Sequence, residues 1–208
     1  VEGTAGNTGI GLTLIGNAKG YKTIIVMPET QTKEKIDTLK SMGAEVKLVA
    51  AKPYKDPDNY IKLSCRIAEN LSNKNDSGVL WANQFDNIAN YLGHYKTTGQ
   101  EIWNQTQGSI DGFVCSSGTG GTIAGVSKAL KEKNKDIKVF LSDPKGSALY
   151  NYIKTKELEV DGSSITEGIG SSRITNNFSE AIIDDSYSIG DTEALSILFN
   201  LMEKEGLF

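Results

Sequence analysis

A chain of 208 residues, 38% hydrophobic and 23% charged, can bury a sizeable core in one large or two small domains, and its balance is that of an ordinary globular protein. A formal net charge of −4 provides no broad positive field for nucleic acid or an anionic membrane. One histidine, His94, and two cysteines of unrelated spacing, Cys65 and Cys115, leave little material for a zinc cluster, a Cys/His nucleophilic pair or a disulfide framework, and they suit a reducing compartment.

In chain order, Val1 to Thr4 reads as a strand end running into a loop. Thr23 to Met27 is a short β-branched run closed by Pro28, which predicts a buried strand. Lys33 to Met42 places Ile36, Leu39 and Met42 on one helical face, and Gly43 ends it. Glu45 to Val49 is the next strand. Asp56 is then expected to cap a helix with Pro57 at its first position and Tyr60, Leu63, Ile67 and Leu71 on one stripe. Gly78 to Ala82 is predicted as a strand, Tyr91 to Gln105 as a helix and Asp111 to Cys115 as a strand entering a glycine loop. Further helices are predicted over Ala124 to Lys133 and, capped by Asp191, over Asp191 to Lys204; further strands over Lys138 to Ser142 and Ile182 to Asp185. This alternation predicts an α/β fold with parallel strands, because each crossover helix returns the chain to the same sheet. The polar segment Asp86 to Asn90 is the expected boundary between two lobes. Glu205 to Phe208 stops just after a helical pattern, so both ends are expected to lie inside a longer protein. No apolar run is long enough to span a bilayer, and no signal-peptide pattern opens the chain.

Two glycine loops carry the chemistry. Ser116-Ser117-Gly118-Thr119-Gly120-Gly121-Thr122 lies between a strand and a helix, where glycines let backbone N–H groups approach an anion and Thr119 and Thr122 offer hydroxyls. A phosphate cradle and a plain tight turn both fit such a loop. A dinucleotide fingerprint matches poorly, since Ile123 stands where glycine or alanine is wanted, although Asp143 lies at a plausible distance; no Walker lysine closes the loop. Gly3-Thr4-Ala5-Gly6-Asn7-Thr8-Gly9 is a second strand-loop-helix turn, suited to a substrate carboxylate. Two anion sites in one α/β chain suggest a phosphorylated cofactor beside a carboxylate-bearing substrate.

These residues resemble the fold-type II pyridoxal 5′-phosphate (PLP) enzymes, in particular cysteine synthase (O-acetylserine sulfhydrylase) and cystathionine β-synthase. Thr4 to Leu12 resembles the family's asparagine loop, and Lys19 to Lys22 with Met27 to Thr30 the segment that follows it. Asn83 to Asn87 and Thr97 to Trp103 resemble a later signature, with Gln100 where proline is usual. Gly118 to Thr122 resembles the phosphate loop and Glu167 to Gly170 the glycine turn near the cofactor ring, all in the family's order.

The resemblance implies two three-layer α/β/α lobes, each with a parallel sheet, and a cofactor cleft between them: a smaller substrate-binding lobe over 1–87 and a larger phosphate-binding lobe over 88–208. It implies that Asn7 bonds the cofactor's phenolic oxygen, that Gly118, Thr119, Gly120, Gly121 and Thr122 hold its phosphate, and that Gly168 borders the site. Thr4, Ala5, Gly6, Thr8 and Gln84 would hold the substrate carboxylate; Ala5 stands where serine is frequent, which removes one hydroxyl. The Schiff-base lysine is expected before Val1 and the serine facing the pyridine nitrogen after Phe208, so no residue here is assigned either role. His94 is expected to be structural on its helix and Cys115 a packed apolar residue.

The implied reaction is synthesis of cysteine from O-acetylserine and sulfide by β-elimination and replacement through an aminoacrylate. Cystathionine β-synthase, with serine as substrate, and serine or threonine dehydratase are the alternatives; Trp81 to Gln84 and Thr97 to Gly99 favour the synthase branch. A catalytically dead relative serving as a binding protein is a reading of another class. The implied assembly is a homodimer without nucleic-acid or membrane partners, in the cytoplasm or alternatively the mitochondrion.

Overall fold

A computed structural model of the chain describes residues 1–74 and 78–207; Phe208, the end of the expected larger lobe, lies outside the described residues. The chain divides into two compact units, Val1–Gln84 and Phe85–Phe208. The division falls before Asp86 because Phe85 and Asp86 bond to residues 173–177 of the second unit.

The first unit holds β1 (Glu2–Gly3), α1 (Asn7–Ala18), β2 (Ile24–Pro28), α2 (Lys33–Ser41), β3 (Glu45–Val49) and α3 (Tyr60–Ser72). Its three strands form a parallel sheet in the order β1-β2-β3. The central strand is buried on both faces, which is why it reads as a continuous apolar run. Ile25 and Met27 pack with Leu39 and Ala44, flanked by Ile10, Ile36 and Val46. The opposite face meets α3 so closely that a β-carbon on Gly3 would lie 2.8 Å from the Tyr60 carbonyl oxygen.

Two expectations in this unit are corrected. Helix α3 is capped not by Asp56 but by Asn59, whose Oδ1 accepts from the Ile61 N–H at 3.0 Å. The Asp56 carboxylate closes a turn instead, accepting from the Asp58 N–H at 2.8 Å. Residues 78–82 form no strand. The Ala82 N–H donates to the Val1 carbonyl at 3.0 Å, but β1 spans only Glu2–Gly3, too short to carry a regular ladder there.

The second unit runs α4 (Ala89–Lys96), α5 (Thr98–Gln105), β4 (Gly112–Cys115), α6 (Gly121–Lys133), β5 (Lys138–Pro144), α7 (Leu149–Thr155), β6 (Asp185–Ile189) and α8 (Asp191–Glu205). Its sheet is again parallel, in the order β4-β5-β6. Val139 and Leu141 pack with Ile123, Leu149 and Phe178, while Val126, Leu130 and Ile137 pack with Ile102, Trp103 and Phe113. Sequence periodicity ran α4 and α5 together; the backbone turns at Thr97, whose hydroxyl bonds back to the Gly93 carbonyl at 2.9 Å.

The last strand occupies Asp185–Ile189 and not Ile182 to Asp185: Ile183 packs into the core, and Asp184 joins Val139 through its side chain as well as its N–H, its carboxylate accepting from the Val139 N–H at 2.7 Å and pairing with Lys131 at 2.7 Å. Helix α7 was unanticipated. Its start is held by Asp143 on the preceding strand, whose carboxylate accepts from the Tyr150 N–H at 2.8 Å. Asp191 does not cap its own helix either; it accepts from the Ser164 hydroxyl and from the Ile165 N–H. Among the described residues no helix is long and apolar enough to cross a membrane.

Candidate functional site

In the first unit the chain leaves β1 at Gly3, and the Thr4 N–H continues the sheet by donating to the Val26 carbonyl at 3.0 Å. The Thr4 side chain is buried and its Oγ1 accepts from the Gly6 N–H at 3.3 Å, which folds the loop over itself. Helix α1 then begins at Asn7 behind Gly6, with no side-chain cap and no acidic residue in its first turn. Such a start is electropositive and suits a carboxylate. Asn7 is exposed at this helix start.

The fold brings Gln84 to the loop from the far end of the unit. The Thr8 hydroxyl donates to Gln84 Oε1 at 2.8 Å, and Gln84 Nε2 donates to the Gly3 carbonyl at 3.3 Å. The backbone N–H of Gln84 bonds to Oε1 of Glu2 at 3.2 Å. Glu2 is 1% exposed and its Oε2 has no hydrogen-bond partner among the described residues. Burial is the largest influence on this carboxyl and pushes it above the ordinary range, against the opposing bonds from Gln84 and Asn83. Thus Thr4, Ala5, Gly6, Thr8 and Gln84, expected at one carboxylate site, do gather around the start of α1. Sequence reading missed Glu2 beneath them; an acidic residue inside a buried strand was its only signal.

The second unit carries the other loop, between β4 and α6. Gly120 has φ of 86°, and a β-carbon there would lie 2.5 Å from Cα of Phe178, so both the turn and the packing demand glycine. A β-carbon on Gly118 would lie 2.4 Å from the Gly168 carbonyl oxygen, which places the Gly168–Gly170 turn against the loop. The Gly170 N–H donates to the Ser117 carbonyl at 2.7 Å. At Gly121 a β-carbon would strike Oδ1 of Asn90 at 2.0 Å, so its smallness also serves packing against α4.

The loop hydroxyls are oriented by their neighbours. Thr119 Oγ1 accepts from Asn90 Nδ2 at 3.0 Å and from the Gly121 N–H at 3.3 Å. With both lone pairs engaged, its remaining capacity is to donate. The Thr119 carbonyl accepts from the Thr175 hydroxyl at 2.7 Å. Thr122 Oγ1 lies 3.2 Å from Nε2 of His94, whose Nδ1 lies 2.9 Å from the Thr98 hydroxyl. Burial depresses the His94 pKa and favours the neutral ring. With the proton on Nε2, the ring donates to Thr122 and leaves the Thr122 O–H for another acceptor. His94 therefore joins α5 to the loop and is not confined to its own helix.

This loop fits a phosphate. Helix α6 starts behind Gly120 with no side-chain cap and no acidic residue in its first turn. The Ser117 hydroxyl is 2% exposed and has no hydrogen-bond partner among the described residues. Cys115 contributes nothing reactive: its thiol donates to the Ser116 carbonyl at 3.0 Å, and burial raises its pKa. Asn90 and Thr175 were missed in the sequence, because each meets Thr119 across 29 or 56 residues of chain. Among the described residues no cluster of three or more His, Cys, Asp or Glu side chains could hold a metal ion.

Each parallel α/β unit sets a glycine loop before a helix with no acidic residue in its first turn, an arrangement suited to an anion. The family model described as "Pyridoxal-phosphate dependent enzyme" matches residues 1–208, and the chain belongs to that family. It is 48% identical over 213 residues to cysteine synthase 1 of Neurospora crassa, covering all of this chain and 55% of that protein. It is 38% identical over 208 residues to cystathionine beta-synthase of Oryctolagus cuniculus, covering all of this chain and 37% of that protein. A solved structure titled as a hydrogen sulfide-producing enzyme from Fusobacterium nucleatum aligns with a TM-score of 0.80 at 33% identity, over 99% of this chain and 65% of that one. The chain spans about half the length of the curated cysteine synthases it matches.

Proposed function

We propose that the full-length protein carrying this chain is a cysteine synthase that makes L-cysteine from O-acetyl-L-serine and sulfide. The similarity to the Neurospora crassa protein supports the reading. One observation carries it: Thr119, whose Oγ1 accepts from Asn90 Nδ2 and from the Gly121 N–H, stands at the start of α6 with its O–H left to donate. Pyridoxal 5′-phosphate, when bound, supplies an electron sink for the α-carbon of an amino acid, which lets a β-substituent leave and another replace it.

In this reading Gly118, Thr119, Gly120, Gly121 and Thr122 hold the cofactor phosphate through N–H and O–H donors, and Gly168 lies beside it. Thr4, Ala5, Gly6, Thr8 and Gln84 hold the substrate carboxylate, with Thr8 and Gln84 steadying each other. Asn7, exposed at the start of α1, donates to the cofactor's phenolic oxygen. The Schiff-base role belongs to no lysine of this chain. Burial of the carboxylate against a helix start serves orientation: it places the α-carbon for reaction and excludes water from it.

The test is a visible absorbance spectrum of the full-length protein with pyridoxal 5′-phosphate, read beside a cysteine assay. The expected result is a band that shifts on adding O-acetylserine and returns on adding sulfide, with cysteine formed. A band that ignores O-acetylserine but responds to serine assigns cystathionine β-synthase or dehydratase activity instead. Absence of any cofactor band overturns the reading.

A further inference from the structure

Two segments of the second unit, 85–91 and 173–178, converge on the Gly118–Thr122 loop from different parts of the chain. Asp86 grips both arms of the Arg173 guanidinium, with Nη1 to Oδ1 at 3.0 Å and Nη2 to Oδ2 at 2.8 Å. The Asn176 N–H donates to the same Oδ1 at 3.0 Å. Next to it, Asn177 Nδ2 donates to the Phe85 carbonyl at 2.7 Å, while its Oδ1 accepts from the Tyr91 N–H at 3.1 Å. The guanidinium carbon lies 5.7 Å from the centre of the Phe85 ring.

From these joined segments the loop is reached twice. Asn90 donates to the Thr119 hydroxyl, and Thr175 donates to the Thr119 carbonyl. Thr175 also accepts from the Phe178 N–H at 2.9 Å, setting the residue that packs on Gly120. An exposed ion pair would contribute little to such order. This one is bidentate, and its side chains keep only 22% and 24% exposure. Burial alone would raise the Asp86 carboxyl; the bonds from Arg173 and Asn176 outweigh it and hold the carboxyl below its ordinary range.

We propose that Asp86 and Arg173 form a positioning clamp for the phosphate loop, locking 85–91 to 173–178 so that Asn90 and Thr175 hold Thr119 with its O–H toward the anion. The clamp rests on the reading that this loop binds the phosphate of pyridoxal 5′-phosphate. It acts on the loop through Asn90, Thr175 and Thr119.

The test uses the full-length protein, stripped of cofactor and titrated with pyridoxal 5′-phosphate, as wild type, Asp86→Asn, Arg173→Leu, Arg173→Lys and the double variant of Asp86→Asn with Arg173→Leu. Affinity is read by fluorescence and the bound phosphate by 31P NMR, with urea midpoints measured alongside. Arg173→Leu is expected to weaken cofactor binding about tenfold, the size of one charge-assisted hydrogen bond, and to move the phosphate resonance. Asp86→Asn with Arg173→Leu together is expected to cost no more than the larger single change, because both break one device. Arg173→Lys, which keeps the charge but not the fork, should recover part of the affinity and fold if the leucine variant does not. Wild-type affinity and an unmoved resonance in Asp86→Asn and Arg173→Lys, even with lowered urea midpoints, would reduce the pair to a structural staple and overturn the proposal. If the wild type itself binds no cofactor, the reading of the loop fails and the clamp with it.

Discussion

The loop from Ser116 to Thr122 is held from outside, by Asn90, Thr175, Phe178 and the Gly168–Gly170 turn. The loop from Thr4 to Gly9 is held by Thr4 Oγ1, by the Val26 carbonyl of its own sheet and, from the far end of its unit, by Gln84 through Thr8. Both need glycine where protein atoms fill the place of a β-carbon, at Gly118, Gly120 and Gly121 in the first and at Gly9 in the second. In the second, Asn7 stands exposed. The difference matches the two ligands proposed: a cofactor phosphate retained through every cycle needs a rigid seat, while a substrate that comes and goes needs groups left open to it.

That contrast breaks first at Gly120. Replacing it by alanine forces a positive φ on a residue with a β-carbon and drives that carbon into the Phe178 backbone. Gly120→Ala is expected to cost on the order of 3 kcal/mol of stability, seen in urea unfolding, and to abolish cofactor retention. Asn7→Ala should do the reverse: stability within about 0.5 kcal/mol of wild type and cofactor retained. Turnover should nevertheless fall about a hundredfold, as for loss of one aligned donor. Unchanged turnover in that variant removes Asn7 from the mechanism.

Smaller effects sharpen the comparison. Thr8→Val deletes the bond that steadies Gln84 and should raise KM for the amino-acid substrate about fivefold, with kcat nearly constant. Glu2→Gln is expected to act only through pH. Because burial raises the Glu2 carboxyl above 4.5, the folded protein binds a proton that the unfolded chain has released, and stability falls as pH rises through that window. Gln can still accept from the Gln84 N–H without the buried charge. Urea midpoints at about pH 5 and about pH 8 should therefore diverge in favour of the variant at the higher pH; a constant difference contradicts the assignment.

Much of this architecture is legible in local sequence, because the buried strand Ile24–Pro28 and the glycine loops carry their signals within a few residues. Capping groups were less legible. Asn59 and Asp56 both satisfy the rule for a helix start, and only the bond to Ile61 decides between them. Helix α7 escaped notice because its stabilising carboxylate, Asp143, sits on the preceding strand. The pairs that shape the phosphate loop, Asn90 with Thr119 and Asp86 with Arg173, join residues 29 and 87 positions apart. No periodicity or spacing rule reaches across such separations, so the residues that orient the site emerge only when the chain is folded.

The central claim, that Gly118–Thr122 seats the phosphate of pyridoxal 5′-phosphate, is tested most directly by a crystal structure of the full-length protein grown with that cofactor. The expected density places the phosphate at the start of α6, hydrogen-bonded by the loop N–H groups and the Thr119 hydroxyl. Cofactor bound with its phosphate anywhere else would contradict the account.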